Sequence, residues 1–219
     1  MPASHLSAVL SDEEFRTGIS LRLFLDQVPE NYVCPFSSTP AAAKCGSQLD
    51  SQGLHLIACP VGGGLVGRHD SIRDTLRGLL VDQGFNTHVE QSLFAPIGEL
   101  IGRSDLCWVN DRCMAVHIDV AIVSPASVAA LKKGSAKRDG VAAEMMENTK
   151  LIKYLSSRAA ITPFILEAGG RFGPKALRAV RSSFRESEAA AQAYQFITAQ
   201  LVRANALALA RARYCWRTA

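Results

Sequence analysis

The spacing of apolar positions divides the chain into helical, irregular and strand-like stretches. Over residues 6–25, apolar side chains at Leu6, Val9, Leu10, Phe15, Ile19, Leu21, Leu23 and Phe24 follow a helical rhythm. Ser11 ahead of Asp12, Glu13 and Glu14 is a helix-start signal, so one or two short helices are expected. From 29 to 67 no period persists, and four prolines with six glycines mark a loop-built segment that a hydrophobic core alone would not order. Helical spacing returns over 70–80 through Ile72, Leu76, Leu79 and Leu80 and stops at Gly84. His88-Val89-Glu90 with Leu93-Phe94, then 104–109 and 115–123, read as strands, the last two joined by the turn residues Asn110-Asp111. Lys132, Lys133, Lys137 and Arg138 surround Gly134 in a basic loop or frayed helix over 125–140. A helix over 141–158, a short buried strand over 161–166 and two alanine-rich helices over 174–185 and 187–213 complete the chain.

This order predicts an α/β (α+β) fold with a central mixed sheet covered by helices. The expected organisation is a helical linker over 1–30, a Cys/His segment over 31–67 and the sheet-bearing domain over 68–219. A chain of 219 residues, 48% hydrophobic, builds one core and a small appendage and is too short for a polymerase. Net charge is +4, so contact with DNA has to come from local clusters of Lys and Arg rather than a general basic coat. No apolar run has the length of a membrane span. The start of the chain, with His5 and its acidic cluster, lacks the character of a signal peptide, so an intracellular, nuclear location is expected.

In a reducing compartment, clustered cysteines serve metal more often than disulfides. Cys34, Cys45, His55 and Cys59 are separated by ten, nine and three residues, and tetrahedral zinc accepts thiolates and imidazole in any such mixture. A segment with little apolar content gains its folding free energy from a structural site of this kind. His69 competes for the fourth position, or faces a phosphate beside Arg68 at the start of the following helix. Cys107, Cys113 and Cys215, beside Trp108, Met114 and Trp216, read as packing residues.

Asp119 stands among Ile118, Val120 and Ile122, where an ionised carboxylate is costly unless paired or metal-bound. With Asp105 on the neighbouring strand it suits Mg²⁺ or Mn²⁺, and Glu90 is a third carboxylate candidate. Lys150 and Lys153 share a helix face with Tyr154, and either lysine is placed to bring a cation to a scissile phosphate. Read from the residues alone, a salt-bridge set of Asp105 with Arg103 and Asp119 with His117 or a lysine fits as well.

Taken in order, Cys45-Gly46, Asp50, His55-Leu56, Cys59, Arg68-His69-Asp70, Val89-Glu90, Arg103-Ser104-Asp105, Ile118-Asp119-Val120 and Lys150-x-x-Lys153-Tyr154 resemble one known arrangement. It is the zinc segment and restriction-like endonuclease of non-LTR retrotransposons. The resemblance implies a restriction-endonuclease-like, PD-(D/E)xK fold with a zinc knuckle before it. It also implies a metal held by Asp105 and Asp119, with the catalytic lysine on the helix as Lys150 or, second, Lys153. Ser104 stands where the family has proline, and Ala121 where the common motif has lysine. The implied activity is nicking of target DNA so that a reverse transcriptase of the same polyprotein can prime on it, with element RNA as a further partner. A non-catalytic nucleic-acid-binding module, using the zinc segment and basic residues such as Arg203, Arg211, Arg213 and Arg217, is the other class.

Overall fold

The computed structural model describes residues 8–39, 42–62, 64–110, 113–184 and 186–217; His5, Leu6, Gly63 and Asp111 lie outside the described residues. In chain order the elements are α1 (Asp12–Arg22), α2 (Leu54–Ala58), α3 (Gly64–Asp82), β1 (Thr87–Phe94), β2 (Leu100–Val109) and β3 (Ala115–Val123). They continue as α4 (Val128–Lys132), α5 (Val141–Lys153), β4 (Ile161–Glu167), α6 (Pro174–Ser183) and α7 (Ser187–Arg217). Two compact units result, one comprising Ile72–Ile197 and the other Ser7–Ser71 with Thr198–Ala219. The first helical stretch and the end of the last helix thus share a unit with the Cys/His segment.

The unit over Ile72–Ile197 is built on a four-stranded mixed sheet in the order β1-β2-β3-β4, antiparallel across the first two pairs and parallel between β3 and β4. A parallel pair needs a long crossover, which α4 and α5 supply. Pro163 is accommodated because β4 is the last strand in the sheet order and so lies at its edge. The most buried side chains come from the middle of the sheet and its cover: Leu106, Trp108, Ile118, Phe164, Ile165 and Leu166, with Ile72, Leu76 and Leu80 from α3. The strands expected over 115–123 and 161–166 form as β3 and β4.

Element ends depart from the sequence pattern for local reasons. Helix α5 stops at Lys153 because Tyr154 leaves the helical path and packs with Leu93 and Ile161. Helix α3 begins at Gly64, before the apolar period is apparent, and its first turns are held by Arg68, whose Nη1 donates to Asn205 Oδ1 at 2.8 Å. In α1 the capping box at Ser11 and Glu14 forms as the sequence signals. Its buried face is Thr17 and Leu21, with Gly18 close against Val202, while Phe15, Leu23 and Phe24 are exposed. On α7, Leu201 and Leu209 are buried as the pattern suggests, but Leu207 is exposed.

Two helices in the sheet unit start with a glycine that has no side chain to cap them, Gly140 before α5 and Gly173 before α6. Buried glutamates from elsewhere do this work. Glu167, at the end of β4, accepts from the Ala143 amide of α5 at 3.3 Å, and Glu147 on α5 accepts from the Lys175 amide of α6 at 2.8 Å. Each carboxylate lies where a helix presents unpaired N–H groups and the positive end of its dipole, which offsets the cost of burying it. Gly173 also leaves room for its capping partner, since a Cβ there would come within 2.6 Å of Glu147 Oε1. Replacing Glu147 by Ala is expected to lower stability by about 1–3 kcal/mol, read as the denaturant midpoint of the full chain. An unchanged midpoint would show that this carboxylate does not cap α6.

Candidate functional site

Cys34 and Cys45 stand on a small irregular hairpin. Its backbone is tied by Cys34 N–H to Ser47 O at 2.9 Å, Gly46 N–H to Cys34 O at 3.1 Å and Cys45 N–H to Phe36 O at 2.7 Å. A single antiparallel bridge, Val33 with Gln48, closes it. The other two residues come from one helical turn, because His55 on α2 and Cys59 at its C-cap are four positions apart and share a face. Asp50 fixes that turn by accepting from Leu54 and His55 amides at 2.6 and 2.8 Å, an arrangement the sequence pattern did not announce. Gly53 has a left-handed backbone with φ of 74°, and a Cβ there would come within 2.8 Å of Leu209, so no other residue suits this corner.

The ligating atoms of Cys34, Cys45, His55 and Cys59 all lie within 4.8 Å of one another. Cys34 Sγ is 3.6 Å from Cys59 Sγ, and Cys45 Sγ is 3.5 Å from His55 Nε2. A tetrahedron with zinc–sulfur bonds of ~2.3 Å has edges of roughly 3.7 Å, so three sulfurs and one imidazole at this spacing suit zinc. A zinc held there would have all four positions supplied by the protein, as in closed, structural sites. Burial pushes the Cys34 thiol up to about 12 and raises Cys59, whereas hydrogen bonding by the Ser47 side chain and backbone, and then by His55, lowers Cys45 to about 6. His69 lies outside this group, its Nδ1 being 3.1 Å from Asp70 Oδ1, and so is not the fourth ligand of the cluster. The hairpin is braced from α7, where Trp216 Nε1 donates to Val33 O at 3.2 Å and its ring meets Tyr32 edge-on at 4.6 Å.

In the sheet unit, continuing the β2–β3 register one step beyond Leu106 and Ile118 sets Asp105 opposite Asp119. The ladder opens there, and Asp105 Oδ2 takes the Val120 amide at 2.6 Å in place of a backbone carbonyl. Asp119 is only 3% exposed and is reached from α5 by Lys150, Nζ to Oδ1 at 2.5 Å, with Lys153 Nζ 4.0 Å from Oδ2. Lys153 also donates to the Tyr154 hydroxyl at 2.7 Å, and that hydroxyl donates to Arg103 O at 3.2 Å. Burial first, then the hydrogen bond and charge of Asp119 and the charge of Asp105, hold Tyr154 above the ordinary phenol range. Asp119 thus acts on this hydroxyl more strongly than Asp105 does.

Glu90 does not join them. It is exposed, has a positive φ of 56° that removes it from the ladder, and pairs with Arg103 at 3.1 Å and Arg73 at 3.7 Å. Arg103 is thereby taken by Glu90 rather than by Asp105. His117 does not pair with Asp119 either. It lies 3.2 Å from Ser104 Oγ and 3.7 Å from Cys107 Sγ, and burial lowers its pKa, keeping it neutral. This Ser/His/Cys contact was not foreseen, although Cys107 and His117 are direct register partners. Of the terminal arginines read as outward, Arg203 and Arg213 are engaged by Glu14 at 3.6 Å and Glu13 at 3.1 Å.

No protein-family model and no curated protein matches this chain. No helix among the described residues is long and apolar enough to cross a membrane.

Purified protein is expected to carry about one zinc per chain by elemental analysis, and less than about half an equivalent would reject a structural zinc. Because Cys34 and Cys59 hold their protons at neutrality, a metal has to displace both. Zinc affinity should then fall as pH falls from about 8 to about 6, on the order of 100-fold per unit, in a competitive chelator titration.

Proposed function

We propose that the chain is a nucleic-acid-processing protein in which a Cys/Cys/His/Cys zinc segment accompanies a divalent-metal-dependent endonuclease site at Asp105 and Asp119. The reading extends to the restriction-like nuclease of a retrotransposon polyprotein, nicking target DNA for a reverse transcriptase. The observation that carries it is the pairing of buried Asp119 with Lys150, next to a second aspartate on the adjacent strand.

Two carboxylates and nearby water suit a hard, oxygen-preferring cation such as Mg²⁺ or Mn²⁺, and Asp105 and Asp119 would hold it. Such an ion supplies acidification of a bound water and neutralisation of phosphoryl charge. The chain's own residues set the rest. Val120 N–H fixes the Asp105 carboxylate, and Lys150 orients Asp119 through its ion pair at 2.5 Å. Lys150 is itself partly accessible, with 19% of its side chain exposed, so its ammonium can face a phosphate while its stem stays packed. Tyr154, kept protonated, bridges the lysine and carboxylate sides through its hydroxyl.

A second reading also has its own observation. Lys150 already neutralises Asp119 Oδ1, as in a buried structural ion pair, which fits a module that binds nucleic acid without cutting it. Nicking of supercoiled plasmid with Mg²⁺ or Mn²⁺ separates the two. Wild type is expected to nick, Asp119→Asn to lose nearly all of it, and Lys150→Met to fall about 10²–10³-fold with folding retained. Equal nicking by wild type and Asp119→Asn, or none by wild type loaded with zinc and either ion, would overturn the nuclease assignment.

A further inference from the structure

Within the unit that carries the Cys/His cluster, the start of α3 and the stretch of α7 from Gln200 to Arg211 enclose a cleft of about 270 Å³. Gly64, Gly67 and Arg68 line it from α3, and Gln200, Arg203 and Arg211 from α7; no acidic residue lines it. Three features point to an anion. The first turn of a 19-residue helix faces it, with amides that have no intrahelical partner and no acidic side chain nearby to satisfy them. Gly64 and Gly67 keep that backbone open, since a Cβ at either would meet nothing within 4 Å.

The second feature is Arg68. It is only 6% exposed, its Nε is buried with no hydrogen-bond partner among the described residues, and its Nη1 donates to the neutral amide of Asn205. Among the described residues no carboxylate pairs with it. Burial pulls Arg68 down to about 10, still far above neutrality, so it remains a cation. A buried charge without a counter-charge is costly, and an incoming anion relieves that cost. The third feature is Arg211, stacked over the Phe36 ring at 5.7 Å, a geometry that holds the guanidinium over the cleft mouth.

We propose that this cleft is a phosphate-binding site that takes a phosphoryl group on the amides of α3 and the guanidinium groups of Arg68 and Arg211, the group being supplied by a polynucleotide backbone. None of these residues belongs to the proposed cutting site, so the inference stands or falls without it. Helix amides and bidentate guanidinium groups are the usual partners of phosphoryl oxygens.

The test uses the full, zinc-loaded chain. Fluorescence anisotropy of a labelled single-stranded oligonucleotide and of its duplex is measured over a salt series, beside thermal shift with inorganic phosphate. The variants are Gly67→Glu, which puts a carboxylate into the cleft on a helix-compatible backbone, Arg211→Gln, and Arg68→Met. Because Arg68 is buried and its loss threatens folding, the first two decide. Oligonucleotide affinity should drop about tenfold or more at low salt in Gly67→Glu and Arg211→Gln, and the salt slope should fall by about one in Arg211→Gln. Stabilisation by inorganic phosphate that these variants abolish, without change in oligonucleotide binding, would keep the phosphate site and make a small phosphate its source. Wild-type oligonucleotide binding and no phosphate stabilisation in any form, with zinc content and circular dichroism unchanged, would overturn the proposal.

Discussion

Taking an ionised side chain out of water costs several kcal/mol unless something in the interior replaces the hydration, and much of this molecule's organisation follows from that demand. Among the described residues Arg68, Asp119, Glu147 and Glu167 are buried. Glu147 and Glu167 are compensated by the amides of two helix starts, so the charges that would otherwise destabilise the sheet unit instead fix where α5 and α6 begin. Asp119 is compensated by an ammonium from α5, which ties that helix to the central strand β3. Arg68 is met by the neutral amide of Asn205, with no helix start or counter-charge among the described residues to offset it.

The Cys/His unit meets a related demand by other means. Among the described residues of 31–59 the regular elements are a helix of five residues and a single bridge, so secondary structure does little there to oppose chain entropy. Three sulfurs and an imidazole lie close enough together that a metal ion held by them would cross-link it. Two of those thiols are buried and resist ionisation, so a cation bound there has to displace their protons. Asp50, Gly53 and the Trp216 brace then determine how the four ligands meet, since each acts on the hairpin or on the turn that carries His55 and Cys59.

The nuclease reading and the zinc reading therefore stand on different footings. The zinc ligands form a complete donor set with spacing suited to the ion. The aspartate pair is incomplete by itself, with one carboxylate oxygen of each already engaged by Val120 N–H or Lys150. Its chemistry depends on whether a divalent ion and a phosphate can compete for those atoms.

Local signals in the chain were enough to determine the helix start at Ser11, the strand alternation around Asp119, the glycine stop after α3 and the Cys/His donor types, because each is written within a few neighbouring residues. Folding at long range decided the remainder. That His55 rather than His69 completes the cluster depends on α2 and its Asp50 cap, and that Glu90 turns away depends on a positive φ in β1. The capping of α5 and α6 by glutamates more than twenty residues distant, and the seating of Lys150 on Asp119 across thirty-one positions, have no sequence-local signature. Periodicity reports which side chains leave water; only the packed chain reports which partner each buried charge finds there.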